Sequence, residues 1–272
     1  MERPLFTDLH SHLVPGVDDG SASVEESLDS LAGLRAEGVC ALVTTPHLLL
    51  PRLATDADLA RELAVHRAAF EALTEAVRGR HGLPTIGLGQ EIWAPDLSQI
   101  RRVVKRTDVG YNGGHYLLVE FGFDLQGSHE EVVREVVAGG RGIVVAHPER
   151  YRYVAGTEPL DQMRRWRELG ALLQVNAGSL NGYYAHSNPG AEGLAWAMVE
   201  HRLVDIISTD HHGMRRAGVS LLEAFEALTA RGERELAERV LARAPDQVAR
   251  ATLNGDVGSI SSPPGAGSSR SP

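Results

Sequence analysis

Seven short apolar runs, at about 5–10, 39–45, 83–92, 116–121, 142–146, 171–176 and 203–208, alternate along the chain with segments of helical periodicity. That alternation is the pattern of a parallel sheet joined by crossover helices. The runs are largely apolar on both alternating faces, as strands buried on two sides must be. An α/β barrel commonly needs ~250 residues, and this chain has 272, so one large domain is the default.

The helical segments are equally legible. Ser23 and Glu26 form a capping-box pattern ahead of a stripe of Leu28, Leu31 and Leu34, and Gly38 ends it. Leu59, Leu63, His66, Phe70 and Val77 recur at helical spacing over 56–80, which makes His66 a helix-face residue. Ser128 and Glu131 repeat the capping pattern before Val132, Val133, Val136 and Val137. Helices are expected near 159–169 and 189–201. A third cap at Ser220 and Glu223 opens the last helical stretches, which should cover the outside of a barrel and end near Leu253.

Residues of metal-ligand type stand where the runs end. His10 and His12 follow the first run and His47 the second; Glu91, Glu120 and His147 close the next three, and Asp210 with His212 closes the last. In a closed barrel these ends converge on one face, where active sites lie. Within the opening DLHSHLVPGVDDG, period-2 geometry puts Asp8, His10 and His12 on one face, and the Pro-Gly pair turns the chain towards Asp18 and Asp19. A lone Glu at a strand end usually caps the next helix, and a lone His is usually a satisfied polar group. Six strands ending this way together point to a metal site. Imidazole mixed with carboxylate suits zinc, manganese or iron better than calcium or magnesium. Such cations lower the pKa of a bridging water and stabilise attacking and leaving oxygens, which is hydrolytic equipment. Arg150, just after His147, and Arg215 or Arg216, just after His212, are placed to clamp an anion such as a phosphate ester. Surface ion pairing is the alternative role for these arginines.

The formal charge of -9 disfavours a nucleic-acid or anionic-membrane surface. No stretch approaches the ~20 apolar residues of a spanning helix, so no membrane insertion is expected. Cys40 is the only cysteine; no intrachain disulfide is possible, its apolar surroundings suggest core packing, and a cytoplasmic location is expected. A cysteine-dependent tyrosine phosphatase needs an arginine six positions after its nucleophile, whereas Pro46 stands there. Lys105, the only lysine, does not end a strand, which disfavours two-metal hydrolases bridged by a carboxylated lysine. The stretch 255–272 is Gly, Ser and Pro with little to bury and reads as a disordered tail after a 1–254 domain.

The motifs DLHSHLVPGVDDG, TTPH, GQEI, LLVEF, AHPERY, QVNAGSL and STDHH resemble the PHP (polymerase and histidinol phosphatase) superfamily. Within it they are most similar to the bacterial tyrosine-protein phosphatases of capsular and exopolysaccharide operons, from about Phe6 to Leu253. The resemblance implies a distorted, TIM-like (β/α)7 barrel with two to three divalent ions, usually manganese, with iron or zinc as alternatives. It implies hydrolysis of phosphotyrosine on a polysaccharide-assembly tyrosine kinase. Carried over by motif, one ion takes His10, His12, Glu91 and Asp210; a second takes Glu91 with Glu120 and His147; a third takes Asp19, His47 and His212. Arg150 matches the phosphate-binding arginine of the HPER segment, and Arg216 falls one position from a second. His211 is an extra imidazole, and Leu48 to Leu50 are unexpectedly apolar beside a phosphopeptide site. Two other readings remain open: a small-molecule phosphatase acting on histidinol phosphate, and a metal-binding regulator without turnover.

Overall fold

A computed structural model describes residues 4–213 and 218–253. Arg216 and the Gly- and Ser-rich stretch 255–272 lie outside the described residues. Among the described residues, nine strand segments are all parallel to their neighbours: β1 (Phe6–Asp8), β2 (Val39–Thr44), β3 (His47–Leu49), β4 (Thr85–Leu88), β5 (Glu91–Trp93), β6 (Tyr116–Glu120), β7 (Gly142–Ala146), β8 (Ala171–Asn176) and β9 (Ile206–Ser208). They fall into a sheet of order β1-β2-β4 and a second of order β3-β5-β6-β7-β8-β9.

Nine segments amount to seven staves. Pro46 has no N–H to give a ladder and separates β2 from β3. Gly89 and Gln90 separate β4 from β5, so the predicted run 83–92 is broken rather than continuous. The halves stay in line across the breaks, where Gly89 N donates to Thr44 O at 2.9 Å and Glu91 N to Pro46 O at 3.1 Å. Between β1 and β9 the contact is made by the segments that follow them. Asp210 N donates to His10 O at 2.8 Å, His12 N donates to His211 O at 2.7 Å, and Ser11 and His211 form a single parallel bridge. Below this seam, Asp8 accepts from Thr209 N at 3.1 Å and from Thr209 Oγ1 at 2.5 Å. The result is a distorted (β/α)7 barrel.

Two apolar layers support it. Leu9, Val43, Tyr111, Tyr116, Leu118, Val144, Ala146, Ile206 and Val248 fill the inside of the barrel. The larger cluster, with Trp166, Phe6, Phe121 and Leu31, lies between strands and helices. Each Val, Leu, Ile or Phe among them contributes roughly 1.5–3 kcal/mol when fully buried. Tyr111, just ahead of β6, and Val248 enter the interior from the end where the strands begin. Val248 belongs to the last described helix (Ala244–Arg250), which closes that end of the barrel, whereas the sequence suggested only an outer cover.

Helix α1 (Val24–Ala36) is capped by Ser23, which accepts from Glu26 N, but the Glu26 carboxylate reaches Ala22 N rather than Ser23 N. A reciprocal capping box occurs instead at Thr55 and Asp58, opening α2 (Asp56–Val77). The cap predicted at Ser128 is not made. The helix Glu130–Ala138 begins after His129, whose φ is 53° and whose ring stacks on Phe121, while Ser128 O accepts from Trp166 Nε1. Cys40 is only partly buried, with its thiol donating to Phe6 O at 3.3 Å.

Candidate metal centre

The strand ends deliver their polar residues to one buried cluster. His10 Nε2 lies 3.3 Å from Glu91 Oε1 and 3.3 Å from Asp210 Oδ1, and His12 Nε2 is 3.3 Å from the same Asp210 oxygen. The two Nε2 atoms themselves are 3.2 Å apart. His147 Nε2 is 3.0 Å from Glu91 Oε1, while His47 Nδ1 is 2.7 Å from Glu91 Oε2. The Glu91 carboxylate thus presents one oxygen to His10 and His147 and the other to His47. Glu120 joins Glu91 and His147 in a third grouping of donor atoms lying within 4.8 Å of one another. Asp19 Oδ1 lies 3.3 Å from His47 Nε2 and 3.4 Å from His212 Nε2, with His12 close enough to complete a fourfold set. All nine candidate ligands therefore meet, and His12 stands at the border of two groups.

Local backbone explains how they are aimed. His147 and Asp210 both adopt positive φ, 33° and 54°, which costs a non-glycine residue about 1 kcal/mol or more and redirects each side chain off its strand. Gly20 passes so close to His12 that a Cβ would sit 2.5 Å from the His12 Cβ. Behind the cluster lie buried and partly buried hydrogen bonds. His12 Nδ1 meets Asp18 Oδ2 at 2.7 Å, and Asp18 also accepts from Gly20 N and His47 N. His10 Nδ1 meets Gln174 Oε1 at 3.0 Å, Gln174 Nε2 donates to Asn176, and Asn176 Nδ2 donates to Asp210 Oδ2 at 2.8 Å. His66, on the buried face of α2, meets Gln90 Oε1 at 2.7 Å next to Glu91.

Asp8 does not share the face of His10 and His12 as period-2 reasoning suggested. Strand β1 ends at Asp8, and its carboxylate turns to Thr209 and His10 N. Sequence reasoning also gave no role to Gln174 or Asn176, although their alternation within an otherwise apolar strand was a usable signal.

The electrostatics are those of a site short of positive charge. Burial opposes ionisation of Glu91 and Asp210, yet neighbouring histidines hold both well below the usual carboxylate range. Burial likewise opposes a charged imidazole at His10 and His47, but the facing carboxylates push them up to about 9 and about 11. Glu120, buried beside Glu91, is pushed up to about 8. Glu91 Oε2 and His47 Nδ1 are close but lack hydrogen-bond geometry, and His147 Nδ1, on the ring edge away from Glu91 Oε1, is buried without a hydrogen-bond partner. Buried lone pairs of N and O type, aimed at shared points and held by outer partners, fit divalent cations.

Above the cluster opens a cleft of about 690 Å³. Arg150 lines it from the 3-10 turn Pro148–Arg150, its Nη1 2.7 Å from Asp210 Oδ2 and its guanidinium over the rings of Tyr184 at 4.3 Å and Phe123 at 4.9 Å.

The sequence profile described as capsular polysaccharide synthesis, CpsB/CapC, matches residues 6–250. The chain is 28% identical to a putative tyrosine-protein phosphatase, CapC, of Staphylococcus aureus, over 81% of this chain and 82% of that protein. It is 26% identical to the tyrosine-protein phosphatase YwqE of Bacillus subtilis (strain 168), over 81% and 83%. A crystal structure from a study of YwqE and of CpsB from Streptococcus pneumoniae, described as unique metal-dependent tyrosine phosphatases, superposes with a TM-score of 0.73 at 22% identity, covering 90% of this chain and 95% of that one. The phosphotriesterase homology protein of Escherichia coli, with phosphate in its active site, superposes at 0.50 and 13% identity, over 92% and 100%.

Proposed function

The chain belongs to the capsular polysaccharide synthesis family CpsB/CapC, and we propose that it is a metal-dependent tyrosine-protein phosphatase, a phosphoric monoester hydrolase. Its substrate in this reading is phosphotyrosine on a tyrosine kinase of capsular or exopolysaccharide assembly. The observation that carries the reading is Glu91, a buried carboxylate whose two oxygens face different histidines.

We assign His10, His12, Glu91 and Asp210 to one ion, Glu91, Glu120 and His147 to a second, and Asp19, His47 and His212 to a third. Two to three divalent ions would be held, manganese first, with iron or zinc as alternatives. When bound, they supply Lewis acidity and an activated water. The protein's own part is positional. Asp18 and Gln174 hold a proton at Nδ1 of His12 and His10, which leaves each Nε2 lone pair facing inward. Arg150 binds phosphoryl oxygens through its planar fork once Asp210 is otherwise neutralised. Arg216 is kept as a second candidate for that clamp. The family match over 6–250 supports treating 1–254 as one metallophosphatase barrel. No described helix is long and apolar enough to cross a membrane, and a lone free thiol suits the cytoplasm.

The test is kcat/KM for a tyrosine-phosphorylated peptide beside histidinol phosphate, with manganese, iron and zinc supplied in turn. The peptide should be preferred, and activity should vanish with chelator and survive Cys40→Ser. A clear preference for histidinol phosphate would make this a small-molecule phosphatase, and no turnover with any metal would make it a binding protein.

A further inference from the structure

The turn after β7 sends three polar side chains to three places. His147 faces Glu91 and Arg150 lines the cleft, whereas Glu149 between them is buried against the end of β8, at 2% exposure. Its Oε1 accepts from Asn176 N at 3.0 Å and from Ser179 Oγ at 2.7 Å. Its Oε2 is buried with no hydrogen-bond partner among the described residues. A buried carboxylate bonded through one oxygen is a poor stabiliser, because the cost of desolvating the charge exceeds what two hydrogen bonds contribute. Its place in the surrounding network gives it another task.

That network closes on itself. While Asn176 N donates to Glu149, Asn176 Nδ2 donates to Asp210 Oδ2 at 2.8 Å and lies 3.3 Å from the Tyr184 hydroxyl. Asp210 Oδ2 also accepts from Arg150 Nη1 at 2.7 Å, and the Tyr184 ring lies 4.3 Å from the Arg150 guanidinium. Both paths from Glu149 through Asn176 therefore end on Arg150, the next residue of the chain. Asp210 divides its oxygens accordingly, with Oδ1 towards His10 and His12 and Oδ2 towards Asn176 and Arg150. We propose that Glu149 is a positioning residue for Arg150, fixing the turn Pro148–Arg150 against Asn176 so that the guanidinium is aimed over the cluster. The inference rests on the phosphatase reading given above, in which Arg150 receives phosphoryl oxygens. Glu149 does not line the cleft and makes no hydrogen bond to a candidate metal ligand, so its effect passes through Arg150. A planar fork depends on its orientation, and a misplacement of about 1 Å can cost on the order of 100-fold in rate. Two ties hold the turn independently: Asn188 Nδ2 donates to Arg150 O at 2.8 Å and the Tyr153 hydroxyl to Pro148 O at 2.9 Å. Removing Glu149 thus disturbs the aim of Arg150 without releasing the turn.

The test is the affinity of manganese-loaded protein for inorganic phosphate, measured by calorimetry beside elemental analysis of bound metal. Glu149→Ala should weaken phosphate binding roughly tenfold at unchanged metal content, and Glu149→Gln, which keeps an acceptor oxygen, should recover most of the loss. Ser179→Ala removes one of the two bonds, leaves Asn176 N paired, and should weaken phosphate roughly threefold. The deciding comparison is a double variant: in an Arg150→Ala background, Glu149→Ala should cause no further loss. Losses that multiply in the double variant, or metal content that falls together with phosphate affinity, would overturn the positioning role and make Glu149 a structural residue. A Glu149→Gln variant as weak as Glu149→Ala would also overturn it, since charge rather than these bonds would then matter. Unchanged affinity in both Glu149→Ala and Ser179→Ala would overturn it while leaving the phosphatase reading intact. Failure of the unaltered protein to bind phosphate would overturn the phosphatase reading and, with it, the part given to Arg150.

Discussion

Glu91 is the residue on which the cluster converges, since His10, His47 and His147 all approach its two oxygens. Replacing one oxygen by an amide turns an acceptor into a donor aimed at imidazole lone pairs. Glu91→Gln should therefore lower both bound metal and turnover, by more than the roughly 10- to 100-fold expected for losing an outer partner. Arg150→Ala should behave differently, with metal content kept and kcat/KM reduced roughly 10²-fold, as for removal of one preorganised charge stabiliser. Elemental analysis beside kinetics separates them, and metal loss in Arg150→Ala would make its contact with Asp210 structural. At this scale the positions of the nine clustered residues could be read from the chain because strand ends are fixed points and His, Asp and Glu are few there. Asp8 and Asp18 could not. Period-2 alternation holds only while the strand lasts, and β1 stops at Asp8. Asp18 and Asp19 differ only by their place in a turn, which puts one carboxylate on His12 Nδ1 and the other near His47 and His212.

Among the elements, the weak join is between β1 and β9, where two backbone bonds beyond the strand ends and the Asp8 side chain stand in for a full ladder. Asp8 accepts there from Thr209 N, Thr209 Oγ1 and His10 N. Asp8→Ala leaves Thr209 N and His10 N buried and unsatisfied, and Thr209 Oγ1 with only His10 O at 3.3 Å, so the urea midpoint should drop by the equivalent of about 2–4 kcal/mol at unchanged slope. A change below about 0.5 kcal/mol would mean that the two backbone bonds hold the seam alone. The element pattern itself was legible, because period and length separate short apolar runs from amphipathic helices. What was hidden is where ladders break and which cap wins. Pro46 divides a stave that reads as continuous. Ser128 loses its capping role because its carbonyl is taken by Trp166 and the chain turns left-handed at His129. Conversely, Thr55 and Asp58 form a capping box from a pattern that sequence alone offers equally at many exposed sites.

For the molecule as a whole, the metal-free cluster is held together partly by protons. His10 and His47 are raised to about 9 and about 11 in the folded chain, so the stability they contribute is complete below their unfolded value of about 6.5 and is lost as pH rises through those folded values. Cations compete with the same protons and bind better as pH rises. The Tm difference between manganese-loaded and chelated protein should accordingly widen from pH 6 to pH 9, and a gap that narrows over that range would count against these histidines as ligands. Tyr111 and Val248 have a different consequence. Since they stopper the barrel from the end where its strands begin, the cleft is both entrance and exit. On the proposed reading, a phosphoprotein seated there would cover the phosphate formed beneath it, and the dephosphorylated protein would have to depart first and phosphate last. Turnover would then be ordered by the architecture, with phosphate left in the floor competing directly with the next phosphoprotein to arrive.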